Sequence, residues 1–108
     1  MFPIKKRPQH KFHAKICEDD GIKFSSKAER AFYQRLKFEK QNGRVLFFLR
    51  QVPIELPGKT KYVVDFQVFY EDGTVAFIDV KGVETENFKL KKRQVEALYP
   101  FEIEIFKC

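Results

Sequence analysis

Glu29, Asp65, Asp79 and Lys81 stand out in this chain as a candidate reactive set. Three carboxylates set against apolar neighbours, with a lysine two positions after the last, are the side chains needed to hold a hard divalent cation beside a phosphate. Each is out of place for its element. Over Lys61–Tyr70 (KYVVDFQVFY), Tyr62, Val64, Phe66, Val68 and Tyr70 are all apolar, so that face must be buried. The opposite face carries Lys61, Val63, Asp65, Gln67 and Phe69, and Asp65 falls in mid-strand, where Asp is disfavoured. In the next segment, Val75–Lys81 (VAFIDVK), a period of two puts Asp79 and Lys81 on one face with Val75 and Phe77.

Whether the two aspartates meet depends on the turn between these strands. A two-residue Asp72-Gly73 loop would pair Tyr70 with Val75 and set Asp65 on a face with Val80. A three-residue loop, Glu71-Asp72-Gly73, pairs Tyr70 with Thr74 and sets Asp65 opposite Asp79. Three-residue hairpin loops want glycine in their last, left-handed position, and Gly73 stands there. This register is the preferred one, and directly opposed Cβ atoms lie roughly 4.5–5.5 Å apart. Like charges so placed repel unless a cation lies between them, and Mg²⁺, which takes carboxylate oxygens and keeps positions for water and phosphate, is the natural one. Lys81 can then neutralise a phosphate or orient the attacking water.

Glu29 belongs to a helix. Ser26-Lys27-Ala28-Glu29 has the form of a capping box, and the helix should run from Ser25 or Ser26 to about Asn42, stopped by Gly43. With Ala28 at zero and 100° per residue, Phe32, Leu36 and Tyr33 fall at roughly 40, 80 and 140°, and Glu29 at roughly 100°, inside the apolar stripe. A Glu aimed at a sheet needs a reason. Its ordinary reason would be a bond back to the Ser26 amide. Asp65 could likewise be an edge-strand charge, and Asp79 with Lys81 a surface ion pair. The four together are hard to explain so, because they converge on one end of the sheet.

Periodicity and turn residues define the strands and helices that carry these side chains. A short hairpin lies between His13 and Phe24, around Glu18-Asp19-Asp20-Gly21. The first helix follows, and then Arg44 to Leu56 reads as strand, bent at Pro53. Pro57-Gly58-Lys59-Thr60 is a turn, the two strands above come next, and a second helix runs from Thr85 or Asn87 to Leu98, ahead of Pro100. Phe101–Lys107 is a last strand. This order gives an α/β (α+β) fold, with a central mixed sheet flanked by helices.

At 108 residues the chain has room for one domain, with residues 1–12 as a basic arm containing Pro3 and Pro8. The net charge of +6 favours an anionic partner such as nucleic acid. Cys17 and Cys108 form neither a disulfide framework nor a zinc motif, and reduced thiols are expected. His10 and His13 read as ordinary polar residues of the arm. No segment reads as a membrane span or a signal peptide, so no membrane partner and a cytoplasmic location are expected.

Ser26-Lys27-Ala28-Glu29-Arg30, Tyr62-Val63-Val64-Asp65-Phe66 and Asp79-Val80-Lys81-Gly82 resemble the PD-(D/E)XK nuclease superfamily, the restriction-endonuclease-like fold. Within it they are similar to short phage endonucleases related to Holliday-junction-resolving enzymes. The resemblance covers roughly residues 20–107, and Val64 stands where the signature has Pro. It implies a Mg²⁺-dependent endodeoxyribonuclease, with Mn²⁺ as a substitute, acting in phage recombination or DNA processing within the host cytoplasm. Asp65, Asp79 and the Val80 carbonyl would be metal ligands, Glu29 would hold a metal-bound water or a second ion, and Lys81 would position water. Resolving enzymes act as symmetric dimers, so the resemblance also implies a homodimer, for which the sequence identifies no interface.

Double-stranded or branched DNA is the implied partner. Lys89, Lys92 and Arg93 share one face of the second helix with Glu96, opposite a stripe of Phe88, Val95, Leu98 and Tyr99. Lys27, Arg30 and Lys59 are further DNA-contact candidates. Two readings compete with the enzyme: a non-catalytic nucleic-acid-binding module on the same fold, and a structural phage protein with a surface ion-pair network that binds no Mg²⁺.

Overall fold

A computed structural model describes residues 17–107. The basic arm, His10, His13 and Cys108 lie outside the described residues. The order is β1 (Cys17–Asp19), β2 (Ile22–Phe24), α1 (Lys27–Gln41), β3 (Val45–Leu56), β4 (Thr60–Tyr70), β5 (Val75–Lys81), α2 (Glu86–Leu98) and β6 (Ile103–Lys107). Strands β3-β4-β5-β6 form a mixed sheet in that order: the first three are antiparallel, and β6 lies parallel to β5 across the α2 crossover. The fold is therefore α+β. Among the described residues no helix is long and apolar enough to cross a membrane.

The hairpin β1–β2 closes through Asp20 and Gly21, both at positive φ, as a tight two-residue turn requires. Asp20 then accepts a hydrogen bond from the Tyr33 hydroxyl (2.9 Å) and pairs with Lys37, which docks the hairpin on α1. Lys37, and then the Tyr33 bond, hold the Asp20 carboxyl below its ordinary value. Phe24 is buried beneath this contact, 5.0 Å from the Tyr33 ring.

Alternation on β4 buries Tyr62, Val64, Phe66 and Val68. Phe32, Tyr33 and Leu36 of α1 close one core over Val45, Phe66, Val68, Ala76 and Ile78. Val95 of α2 closes a second over Ile54, Leu56, Tyr62, Val64 and Ile103. The expected α2 stripe is corrected at one position: Leu98 is exposed, because α2 ends there and the chain turns away through Tyr99. Phe88 and Tyr99 are only half-buried.

The three-residue turn between β4 and β5 forms. The Tyr70 N–H donates to the Thr74 carbonyl (2.9 Å), the Gly73 N–H to the Tyr70 carbonyl (3.1 Å), and Gly73 sits at φ +90°. Rungs run from Phe69 opposite Val75 to Phe66 opposite Ile78, so the next pair in register is Asp65 and Asp79. Gly73→Ala is expected to cost about 1–2 kcal/mol, because a Cβ penalises that φ while meeting nothing in space. Urea unfolding measures it, and an unchanged midpoint would show that the turn does not need glycine.

β3 differs from expectation. It runs unbroken through Pro53, which an edge strand tolerates. Its irregularities lie elsewhere: a register shift between Val45 and Phe47, and Gln51 at φ +52°.

Candidate metal centre

Asp65 and Asp79 sit where the β4–β5 ladder ends. Beyond Phe66–Ile78, side chains take over from the backbone rungs: the Asp65 N–H donates to Asp79 Oδ1 (2.8 Å), and the Val80 N–H donates to Asp65 Oδ2 (2.9 Å). On its other side β5 stays paired with β6 through Lys81. Each aspartate thus satisfies an amide of the opposite strand, and the two lie close enough for the Asp65 charge to add to the upward push on the Asp79 carboxyl. Repulsion in this pair is relieved partly by these amides, so a cation is not the only group that lets the two coexist.

Asp79 is 2% exposed. Burial pushes its carboxyl above the ordinary value, against the lowering effect of bonds from the Tyr62 hydroxyl and the Asp65 N–H. The same burial and bond raise the Tyr62 phenol, which stays protonated as a donor. Asp65 is half-buried and keeps an open side.

Glu29 is 5% exposed and lies among Phe32, Tyr33 and Leu36 on the inner side of α1, as its helical angle implies. Ser26 is the N-cap and accepts from the Glu29 N–H (3.0 Å). The reciprocal half of the capping box is not made, because the Glu29 carboxylate is engaged elsewhere. Oε1 accepts from the Ser25 hydroxyl (2.9 Å), and Oε2 meets the Gln51 amide (3.1 Å) and the Arg50 guanidinium (3.6 Å). Gln51 Nε2 also reaches Asp65 Oδ1 (3.4 Å), so one amide links Glu29 to Asp65.

Lys81 is half-buried, with its ammonium 4.6 Å from the centroid of the Phe88 ring, and its charge lowers the Asp79 carboxyl slightly. Phe88 therefore holds the ammonium against α2, within Coulombic reach of Asp79 but without an ion pair to it. Among the described residues no three His, Cys, Asp or Glu side chains are drawn tightly enough to form a ready-made metal cluster. Glu29 approaches the pair through Gln51 instead of directly. The donor set nonetheless fits a hard divalent cation: it consists of oxygens alone, with a neighbouring amide and no thiolate or imidazole.

The basic residues are more dispersed. Lys27 and Arg30 stand at the start of α1, beside Glu29, with Lys27 exposed. Lys59 is exposed at φ +59° in the β3–β4 turn. On α2, Lys89 pairs with Glu86 (3.5 Å) and Lys92 with Glu96 (3.0 Å), while Arg93 is exposed. Two of the three expected α2 cations are thus paired along their own helix, which leaves one of the three charges on that face unneutralised by its own helix.

Reading the sequence alone misses Arg50, Gln51 and Tyr62. Arg50-Gln51 interrupts the apolar run VLFFLRQVPIEL with two adjacent polar residues, which was the available signal. Tyr62 reads as a core residue, and nothing in the sequence shows that its hydroxyl meets Asp79.

A family model described as "Protein of unknown function (DUF1064)" matches residues 9–106. No curated protein matches the chain.

Proposed function

We propose that this chain, which belongs to that family of proteins of unknown function, is a divalent-cation-dependent endonuclease that hydrolyses DNA phosphodiester bonds on a restriction-endonuclease-like fold. The observation that carries this reading is the bonding of the Asp65 N–H to Asp79 and of the Val80 N–H to Asp65 at the end of the β4–β5 ladder, with Lys81 on the same strand as Asp79 and Glu29 linked through Gln51. A stable surface ion pair needs no buried carboxylate next to a second carboxylate, and burial of that kind disfavours a charge that a bound cation would offset.

Asp65 and Asp79 would hold the ion, with Mg²⁺ preferred and Mn²⁺ as a substitute, and the Val80 carbonyl is available beside them. When bound, the ion supplies charge stabilisation at the phosphate and a more acidic water. Tyr62 fixes the Asp79 carboxylate by donating to it. Glu29, fixed by Ser25 and Arg50, would accept a proton or orient water at the open side of Asp65. Lys81, steadied on Phe88, would meet a phosphate oxygen. Lys27 and Arg30 at the head of α1, Lys59 in its turn, and Lys89, Lys92 and Arg93 on α2 are the groups for the flanking phosphates. A phage origin, action on branched DNA in recombination, a homodimer and residence in the host cytoplasm remain part of this proposal through the resemblance alone.

The test is incubation with labelled linear duplex and with a four-way junction, in Mg²⁺ and in chelator. Wild type is expected to cut at least one of them in Mg²⁺ only, and Asp79→Asn to cut neither. Retention of DNA without cleavage by wild type would instead favour the non-catalytic binding module.

A further inference from the structure

Gln51 links Glu29 to Asp65, and its backbone is out of place. It lies in the middle of β3 at φ +52°, a left-handed conformation that side chains with a Cβ adopt only under constraint. The two other such residues, Asp20 and Lys59, sit in turns. A bulge does not account for it. Arg50 pairs with Phe66 and Val52 with Val64, so the register is the same before and after Gln51, and no residue is inserted there. The position facing Gln51 is Asp65. Edge protection does not account for it either, since the register shift at Val45–Phe47 already disrupts that edge.

The left-handed turn changes where the side chain goes. In a regular strand Arg50 and Gln51 would point to opposite faces. Here both reach Glu29 Oε2, at 3.6 Å and 3.1 Å, and the Gln51 amide extends to Asp65 Oδ1 at 3.4 Å. The strain is therefore tied to placing one carboxamide between two carboxylates. A carboxamide is suited to that point because it has a nitrogen end that donates to anions and an oxygen end that can bind a cation.

We propose that Gln51 is a member of the cation site. Its Nε2 group bridges Glu29 and Asp65 when no ion is bound, and its Oε1 is a ligand for the divalent cation. This rests on the cation-site reading given under Proposed function and adds a ligand to it.

Mn²⁺ alone is the probe, titrated into the full chain without DNA and followed by the electron paramagnetic resonance of the free ion. Gln51→Ala and Gln51→Gly are each expected to weaken Mn²⁺ binding by about 10–100-fold. Gly adopts the observed φ freely, so Gln51→Gly should melt no lower than wild type while binding the ion poorly. That pairing separates a ligand from a residue kept for the fold. Gln51→Glu keeps an oxygen and loses the donor, so it should melt lower than wild type in chelator yet bind Mn²⁺ at least as tightly. Equal affinity of wild type and Gln51→Gly, or Gln51→Glu as weak as Gln51→Ala, overturns the assignment and leaves the Asp65–Asp79 site standing. Wild type that binds no Mn²⁺ removes both.

Discussion

Asp79→Asn is expected to lower Mg²⁺-dependent cleavage by about 10³-fold while raising the melting temperature of the ion-free protein. The two effects have one cause. Burial at 2% exposure lifts the Asp79 carboxyl above its ordinary value, so the folded chain prefers it protonated. The stability linked to that preference is fully present below the unfolded value near 3.8 and is lost as pH rises through the raised one. At neutral pH without a cation the charge therefore opposes folding. Asn removes it and can still accept from the Asp65 N–H. Each 1 kcal/mol recovered should appear as about 4–8 °C in a domain of this size. Differential scanning calorimetry in chelator measures it. A lower melting temperature for the variant would mean that the bonds from Asp65 and Tyr62 make the ionised carboxylate a structural group.

Phe66→Ala is expected to cost about 3–5 kcal/mol, a large part of the roughly 5–15 kcal/mol that holds a domain folded. Phe66 is wholly buried, packs 5.2 Å from Phe32 of α1 and 6.2 Å from Phe48 of β3, and directly follows Asp65. The cavity would loosen both α1, which carries Glu29, and the end of the β4–β5 ladder. Guanidinium unfolding reads the loss, and any response of stability to Mg²⁺ should weaken with it. A loss under about 1 kcal/mol would show that the core refills the space and that Phe66 does not position the site.

The parts of the fold visible in the sequence were those with strong local chemistry. Ser26 and Thr85 cap the two helices, Gly43 and Gly73 take positive φ, and β4 alternates without a break. The Asp65–Asp79 register followed from one glycine, because a loop length determines every pair beyond it. Glu29 was visible as a charge within an apolar stripe. What the sequence did not show depends on tertiary contact. Gln51 is left-handed with no glycine to announce it, since the constraint comes from Glu29 and Asp65, 22 and 14 positions away. Local periodicity assigned Arg50 no partner, yet it lies against Glu29 and 4.6 Å over the Phe24 ring. Proline suggested a bend in β3 that the edge position makes unnecessary. Leu98 looked like core because the helical stripe was extended one turn past where α2 packs.

Melting with and without the ion decides whether Asp65 and Asp79 together form the proposed divalent-cation site. Calorimetry of the wild type in Mg²⁺, or in Ca²⁺ as an oxygen-seeking stand-in, should show stabilisation of about 2.7 kcal/mol when the ion is at 100 times its dissociation constant. The double variant Asp65→Asn/Asp79→Asn should not respond. A wild-type melting temperature that stays the same from chelator to millimolar Mg²⁺ and Ca²⁺, or a double variant that gains as much as wild type, would mean that the two aspartates hold no ion.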